Sequence, residues 1–100
     1  MNLVELNLEK INKLCESHKV SRLFVFGSVL KDNFNIDSDI DLIVDFDNVD
    51  IRLYANNYFD LKEKLEEIFN RQVDLLEEKA IKNPYLLKEI EREKQLIYGK

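Results

Sequence analysis

The sequence predicts an α/β fold of the α+β type, with a small three-stranded mixed sheet and about four helices. Segments with helical spacing of apolar residues alternate with short runs rich in Val, Ile, Leu and Phe, which is typical of a sheet covered by helices. Apolar residues make up 45% of the 100 residues, which is enough for a core. A chain of this length usually folds as one domain, here residues 1–100. We expect the helices mainly on one face of the sheet, which leaves the other face or one end for a site.

Local signals place each element. The first helix carries an apolar stripe from Val4 to His18 at spacings of three and four residues. The last helix begins at Pro84, whose missing N–H costs nothing in a first turn, runs to about Ile97 and ends at Gly99. The predicted elements are a helix at 3–18, a strand at 20–26, a helical turn at 28–32, a strand at 39–46, a helix at 51–70, a strand at 72–76 and a helix at 84–97.

Charge and chain features exclude several classes of protein. The net charge is −5, so the chain lacks the basic face that broad nucleic-acid binding needs, although it can still use a phosphate substrate that arrives with Mg²⁺. The longest unbroken apolar run, Leu23–Phe26, is far shorter than a membrane span. The N-terminus has no basic start and no apolar stretch, so we expect no signal peptide. Cys15 is the only cysteine, which excludes an internal disulfide and suits a reducing cytoplasm.

Asp39 and Asp41 stand at the start of the second predicted strand, DIDLIVDF. Side chains alternate along a strand, so both carboxylates face one side while Ile40 and Leu42 face the core. Like charges side by side repel, and a bound divalent cation such as Mg²⁺ is the simplest reason for the pair. A solvated acidic strand end also explains an isolated Asp-x-Asp. A calcium loop of the EF-hand type fails, because Leu42 stands where that loop needs glycine.

Gly27 and Ser28 follow the first predicted strand directly, where the chain is expected to turn into a short helix. Glycine lets the backbone approach a ligand closely, a helix start offers free N–H groups to an anion, and serine adds a hydroxyl donor. The two residues alone fit an ordinary turn with a helix cap. Next to an aspartate pair they predict a turn that binds phosphate beside a metal site.

Asp74 interrupts the apolar third strand, QVDLL. If this strand pairs with residues 39–46, the two strands lie about 4.8 Å apart, and a third carboxylate converges on the same metal ions. The alternative interpretation is a partly exposed aspartate on an edge strand.

Together these residues resemble a known superfamily. The stretch GSVLKDNFNIDSDID has Gly-Ser, ten residues and Asp-x-Asp, and is similar to the pattern of the DNA-polymerase-beta-like nucleotidyltransferases. The segments FVFGS, DSDIDLIVDF, QVDLL and KNPYLLKEIEREKQLIYG look like its minimal nucleotidyltransferase (MNT) branch. The resemblance covers residues 20–99 and implies a nucleotidyltransferase fold.

The resemblance also implies roles for individual residues. Asp39, Asp41 and Asp74 match the catalytic aspartates, which would bind Mg²⁺, with two ions expected. Gly27 and Ser28 match the pair that holds the phosphates of the nucleotide. Many relatives are antitoxins paired with HEPN-domain RNase toxins, and some transfer AMP to a tyrosine of that toxin.

The chain departs from the Gly-Ser-x-Ala-Arg-Gly that relatives often carry. Leu30, Lys31 and Asp32 stand at the last three positions of that pattern. Lys31 is assigned to the nucleotide phosphates, because it keeps the positive charge of arginine although it loses the bidentate fork. Asp32 places a negative side chain where glycine is common, so nucleotide affinity is the property we expect to be most affected.

Three functions follow as hypotheses. The first is an enzyme that transfers AMP from Mg²⁺-ATP to a hydroxyl, in particular a tyrosine of a partner HEPN toxin. The second is an antitoxin that acts by binding its partner, with weak or vestigial nucleotide chemistry. The third is a small acidic domain that binds cations without transferring anything.

Other residues are assigned structural or docking roles. His18 suits the negative end of the first helix, Cys15 packs on a helix face, and Asp45 lies too far along its strand from Asp41 to share a metal. The last helix carries more apolar side chains than a three-stranded sheet needs, which indicates a docking surface. Its candidate residues are Tyr85, Leu86, Ile90, Ile97 and Tyr98.

Overall fold

The computed structural model describes residues 3–26 and 39–99, which contain both helices and strands. The strand predicted at 20–26 is found with those bounds, and the other two predicted strands and the long helix agree to within one residue. The elements are α1 (Leu3–Leu6), α2 (Leu8–Ser17), β1 (Val20–Phe26), β2 (Ile40–Phe46), α3 (Ile51–Phe69), β3 (Val73–Glu77), a 3₁₀ turn (Glu78–Ala80), α4 (Pro84–Glu93) and β4 (Gln95–Tyr98).

In the part of the chain that the structure describes, the sheet has four strands in the order β3-β2-β1-β4. Strand β1 pairs antiparallel with both β2 and β4, whereas β2 and β3 are parallel. The prediction of a mixed sheet is confirmed, but the count of three strands is wrong. A fourth strand at the chain's C-terminal end occupies the free edge of β1.

The last helix is shorter than predicted. It begins as expected, because the Asn83 side chain accepts hydrogen bonds from the backbone N–H groups of Tyr85 and Leu86 and Pro84 stands in the first turn. It ends at Glu93, and residues 95–98 pair with β1. Gly99 has a φ of +97° and follows β4, so the prediction that it ends the helix is wrong.

The predicted first helix is divided in two at Asn7. The Asn7 side chain donates a hydrogen bond to the carbonyl of Leu3 at 2.9 Å. Asparagine competes for backbone groups in this way, which favours a break in the helix. Both pieces use the predicted stripe, with Val4, Ile11 and Leu14 buried, whereas Leu8 is exposed.

The main core lies on one face of the sheet, beneath α1, α2 and α3. Ile40, Leu42 and Val44 of β2 are fully buried there, together with Leu61 and Leu65 of α3. The alternation predicted for β2 is therefore present, since its even-numbered side chains form the core.

Helix α4 covers part of the opposite face. Ile90 of α4 packs against Phe24 of β1 and Ile43 of β2 in a second, smaller cluster. Helices thus lie mainly on one face, as predicted, with α4 as the exception. Asp41 and Asp74 lie on the α4 face, at the end of the strands where β2 begins.

No helix in the described ranges 3–26 and 39–99 is long and apolar enough to cross a membrane.

Candidate active site

Asp41 of β2 and Asp74 of β3 lie side by side. The two residues are directly paired in the parallel register of these strands, so their side chains face the same side of the sheet at a strand spacing of about 4.8 Å. The two carboxyl groups are close enough to share a hydrogen bond when one of them is protonated. Asp41 is half-buried and Asp74 is exposed. The fold therefore brings together two carboxylates that are 33 positions apart in the sequence.

The surroundings of Asp41 disfavour its charged form. Burial raises the pKa of the Asp41 carboxyl above its ordinary value of 3.8, and the negative charges of Asp74 and Asp39 and the hydrogen bond with Asp74 raise this pKa further. Asp39 precedes β2, is exposed, and acts on Asp41 through its charge. Such a group accepts a proton or a cation readily.

The residues present fit Mg²⁺. Their donor set consists of carboxylate oxygens, which this cation prefers, and a divalent cation relieves the repulsion that raises the pKa of Asp41. Within the described part of the chain, no group of three or more His, Cys, Asp or Glu side chains is arranged to hold one ion. The structure thus presents a pair of carboxylates, Asp41 and Asp74, with Asp39 nearby, rather than a closed triad.

The predicted phosphate-binding residues Gly27, Ser28 and Lys31 lie outside the described residues. Gly27 directly follows Phe26 in the sequence, and Phe26 is paired with Asp41 in the register of β1 and β2. The assignment of these three residues to a nucleotide stays a prediction.

Asp45 lies on the same face of β2 as Asp41 but belongs to a different set of charges. Its carboxylate is 3.2 Å from the guanidinium of Arg22 and 3.4 Å from the ammonium of Lys79. Arg22 also lies 3.7 Å from Glu78, which in turn lies 3.8 Å from Lys94. Asp45 therefore links the 3₁₀ turn to the sheet, and Glu78 links the same turn to the end of α4. Sequence analysis missed this cluster, because its members come from separate elements.

His18 and Cys15 have structural environments. The Nε2 atom of His18 lies 2.6 Å from a carboxylate oxygen of Asp60, and the His18 carbonyl accepts a hydrogen bond from Asn57, so this buried histidine ties α2 to α3. Burial raises the pKa of Cys15 to about 12, which keeps its thiol protonated and unreactive. Cys15 packs in the core, as the sequence predicted. The sequence did not predict that His18 would contact Asp60.

The apolar residues near the chain's end do not form one docking surface. Tyr85 is 83% exposed, but Ile90 is buried and Leu86 packs beside it in the smaller cluster. Ile97 and Tyr98 belong to β4 and pack against the main core. The prediction of a common surface on the last helix is therefore wrong, because β4 takes these two side chains to the other face of the sheet.

Comparison with known proteins decides the family. Residues 9–100 match the family model described as polymerase beta, nucleotidyltransferase. The chain belongs to this family. The resemblance found in the sequence is thereby confirmed, and the chain is a nucleotidyltransferase.

Its relatives in the family include protein adenylyltransferases. The chain is 31% identical to the protein adenylyltransferase MntA of Thermococcus cleftensis, over 78% of this chain and 84% of the relative. It is 39% identical to a provisionally named protein adenylyltransferase of Methanocaldococcus jannaschii, over 85% of this chain and 82% of the relative. The chain is thus similar over most of its length to nucleotidyltransferases that are named as protein adenylyltransferases.

Solved structures show the same fold. A provisionally assigned minimal nucleotidyltransferase matches with a TM-score of 0.76 and 32% identity, covering 95% of both chains. A toxin–antitoxin complex with AMP-PNP matches with a TM-score of 0.72 and 25% identity, over 94% of this chain and 74% of that one. The complex of a tri-AMPylated HEPN toxin of Shewanella oneidensis with its MNT antitoxin matches with a TM-score of 0.67 and 25% identity, over 97% and 73% of the two chains.

Proposed function

We propose that this chain is a protein adenylyltransferase that transfers AMP from Mg²⁺-ATP to a tyrosine hydroxyl of a HEPN-type toxin, and so acts as its antitoxin in the cytoplasm. The observation that carries the proposal is the pairing of Asp41 with Asp74, two carboxylates at one end of parallel neighbouring strands, with Asp39 beside them. The relatives support the group transferred, since they are named for adenylyl transfer.

Different residues of the chain have different roles in the reaction. Asp39 and Asp41 would hold Mg²⁺, two ions being expected, and Asp74 contributes its carboxylate from the acceptor side. The bound metal supplies charge neutralisation for the triphosphate and the leaving pyrophosphate. Gly27, Ser28 and Lys31 bind the phosphates and orient the nucleotide.

The transfer itself needs one bond to form and one to break. The acceptor oxygen attacks the α-phosphorus of ATP, the bond from that phosphorus to the bridging oxygen of pyrophosphate breaks, and the acceptor's proton passes to the carboxylate of Asp74. No covalent intermediate on the chain is required, so catalysis rests on positioning and charge stabilisation.

The expected partner follows from the structural relatives. Two of them are toxin–antitoxin complexes, one with AMP-PNP and one with an AMPylated HEPN toxin. The acidic character of this chain, with a net charge of −5, complements a basic protein that binds RNA.

Mass spectrometry of the partner tests the proposal. The chain is incubated with Mg²⁺-ATP and a purified HEPN-type toxin, with Asp41→Asn as the inactive control and Asp45→Asn as a matched control on the same strand. We expect the partner to gain one or more AMP units, with Asp41→Asn at least about a hundred-fold slower and Asp45→Asn still active.

Two results contradict the proposal. Tight binding and neutralisation of the toxin without a mass increase would favour an antitoxin that acts by binding alone. An equal mass increase with Asp41→Asn would remove the carboxylate pair from the chemistry.

A further inference from the structure

The outer edge of β3 faces α3. Among the strands of the described residues, in the order β3-β2-β1-β4, β3 pairs with β2 alone. The carbonyl of Gln72 accepts a hydrogen bond from the N–H of Ile40, so alternate residues Gln72 and Asp74 direct their backbone groups toward β2. Val73 and Leu75 therefore direct theirs toward the outer edge.

Two side chains of α3 each bind one of those outward backbone groups. A carboxylate oxygen of Glu66 accepts a hydrogen bond from the N–H of Val73 at 3.1 Å. The hydroxyl of Tyr58 donates a hydrogen bond to the carbonyl of Leu75. Val73 and Leu75 are the two neighbours of Asp74 in the chain, so the backbone is held from the helix immediately before and immediately after this aspartate.

The helix that supplies these contacts is firmly anchored. Leu61 and Leu65, which lie between Tyr58 and Glu66 on α3, are fully buried in the main core. Lys62 lies 3.5 Å from Glu66 on the same helix and helps to orient its carboxylate. The two contacts therefore connect a short edge strand to a rigid element.

Asp74 depends on such support because β3 is short and parallel. A shift of two residues along β2 would move Asp74 by about 6.6 Å and separate it from Asp41. Catalytic groups must be held to within about 0.5 Å, and a misplacement of 1 Å can cost about a hundred-fold in rate.

We propose that Tyr58 and Glu66 are positioning residues, which fix the register of β3 and so hold Asp74 opposite Asp41 for AMP transfer. This inference rests on the proposed function for its kinetic consequence, whereas its geometric consequence can be measured without any transfer.

Kinetics of four variants test the proposal with the adenylyl acceptor described above. Tyr58→Phe removes only the hydroxyl, and Glu66→Ala removes the acceptor of the Val73 N–H. We expect both to lower kcat about ten-fold or more while KM for Mg²⁺-ATP stays within about two-fold, because the register and not nucleotide binding is disturbed. Glu66→Gln keeps an acceptor oxygen and should restore kcat, and Glu67→Ala, at an exposed neighbouring position of α3, should not change it.

Paramagnetic relaxation by Mn²⁺ supplies the readout that needs no activity. Mn²⁺ alone is titrated while the backbone amide signals of Asp41 and Asp74 are followed by NMR. In the unmodified chain both signals should broaden together. In Tyr58→Phe and Glu66→Ala the Asp74 signal should broaden at least about two-fold less than that of Asp41, because a shifted register of β3 places the Asp74 amide farther from the ion.

The two measurements separate the possible failures. Unchanged kcat and unchanged relative broadening in both variants, whatever happens to their melting temperatures, would overturn the positioning role. If the unmodified chain transfers no AMP, the proposed function fails, and the relative broadening alone then supports or overturns the positioning role.

Discussion

Asp41 and Asp45 show how far the environment of one residue type can differ within a single strand. Both lie on the α4 face of β2, four residues apart. Asp41 faces two other carboxylates, and its pKa is raised, whereas Asp45 faces the cations of Arg22 and Lys79. The same substitution at the two positions should therefore have opposite effects on stability.

Without metal, Asp41→Asn should raise the melting temperature and Asp45→Asn should lower it. The first change removes a repulsion that solvent already screens, so we expect less than about 1 kcal/mol, or a few degrees. The second leaves Arg22 and Lys79 without their shared carboxylate and should cost about 1–3 kcal/mol. Thermal unfolding of the three proteins in metal-free buffer measures both changes. A lower melting temperature for Asp41→Asn would show that the carboxylate pair is not repulsive.

The sequence predicted the individual acidic residues of the site well. The alternation of β2 predicted that Asp39 and Asp41 leave the core face, and the acidic interruption at Asp74 indicated a third carboxylate. Their pairing could not be read from spacing alone, because it depends on a parallel register between β2 and β3.

At the scale of elements, the error at the chain's end has a physical cause. Residues 94–98, KQLIY, continue the spacing of a helix, but their β-branched and aromatic side chains also suit a strand. Strand β1 would otherwise have an unpaired edge, and the hydrogen bonds that β4 makes with it are nonlocal. The spacing of apolar residues cannot predict pairing between distant strands. It predicted the bounds of β1 and α3 well, because the residues of these elements themselves fill the core.

Gly99→Ala should loosen the end of β4. A Cβ at this position would lie 2.2 Å from the carbonyl oxygen of Ser21 on β1, and the φ of +97° disfavours any side chain. We expect a loss of about 1–3 kcal/mol in the free energy of unfolding, measured by urea denaturation. Gln95→Ala, at the exposed beginning of the same strand, is the control and should change little. Equal stability of Gly99→Ala and the unmodified chain would argue against close packing of Gly99 on β1.

The contact between His18 at the end of α2 and Asp60 of α3 should stabilise the protein to an extent that depends on pH. The hydrogen bond with His18, followed by that with Lys64, lowers the pKa of Asp60 below its ordinary value of 3.8. A lowered pKa in the folded state contributes stability that is fully present above 3.8 and is lost as the pH falls through the lowered value. Asp60→Asn should therefore melt at a lower temperature at neutral pH, and the difference should shrink below the ordinary value. If the difference in melting temperature between Asp60→Asn and the unmodified chain is the same in strong acid, the substitution acts through packing and not through the charge of Asp60.

At the scale of the whole molecule, two clusters of charge lie at opposite ends of β2 on one face of the sheet. At one end, Asp41 lies beside the negative charges of Asp74 and Asp39, whereas at the other end Asp45 is paired with the cations of Arg22 and Lys79. The contacts of Tyr54, Tyr58 and Glu66 with β3 were not foreseen, because the tyrosines fit the apolar stripe of α3 and their hydroxyl partners are visible only in the folded chain.

Mg²⁺-ATP should stabilise the whole molecule, because a ligand that binds only the folded state shifts unfolding by mass action. At a concentration a hundred times Kd the gain is about 2.7 kcal/mol, which for a domain of this size corresponds to a rise of more than about 10 °C. Gly27→Val should abolish this rise while the melting temperature without ligand changes less. An undiminished rise in Gly27→Val would remove Gly27 from the predicted phosphate-binding turn.

The contacts that side chains of α3 make with β3 also affect whether this sheet can pair with strands of other proteins. An edge with free N–H and C=O groups is a template on which a foreign strand can add, and this leads to aggregation. On β3 the outward N–H of Val73 and the outward carbonyl of Leu75 are already bound to Glu66 and Tyr58. These two bonds oppose the addition of a foreign strand on the side that carries Asp74, which helps to keep the carboxylate pair accessible to small molecules in a crowded cell.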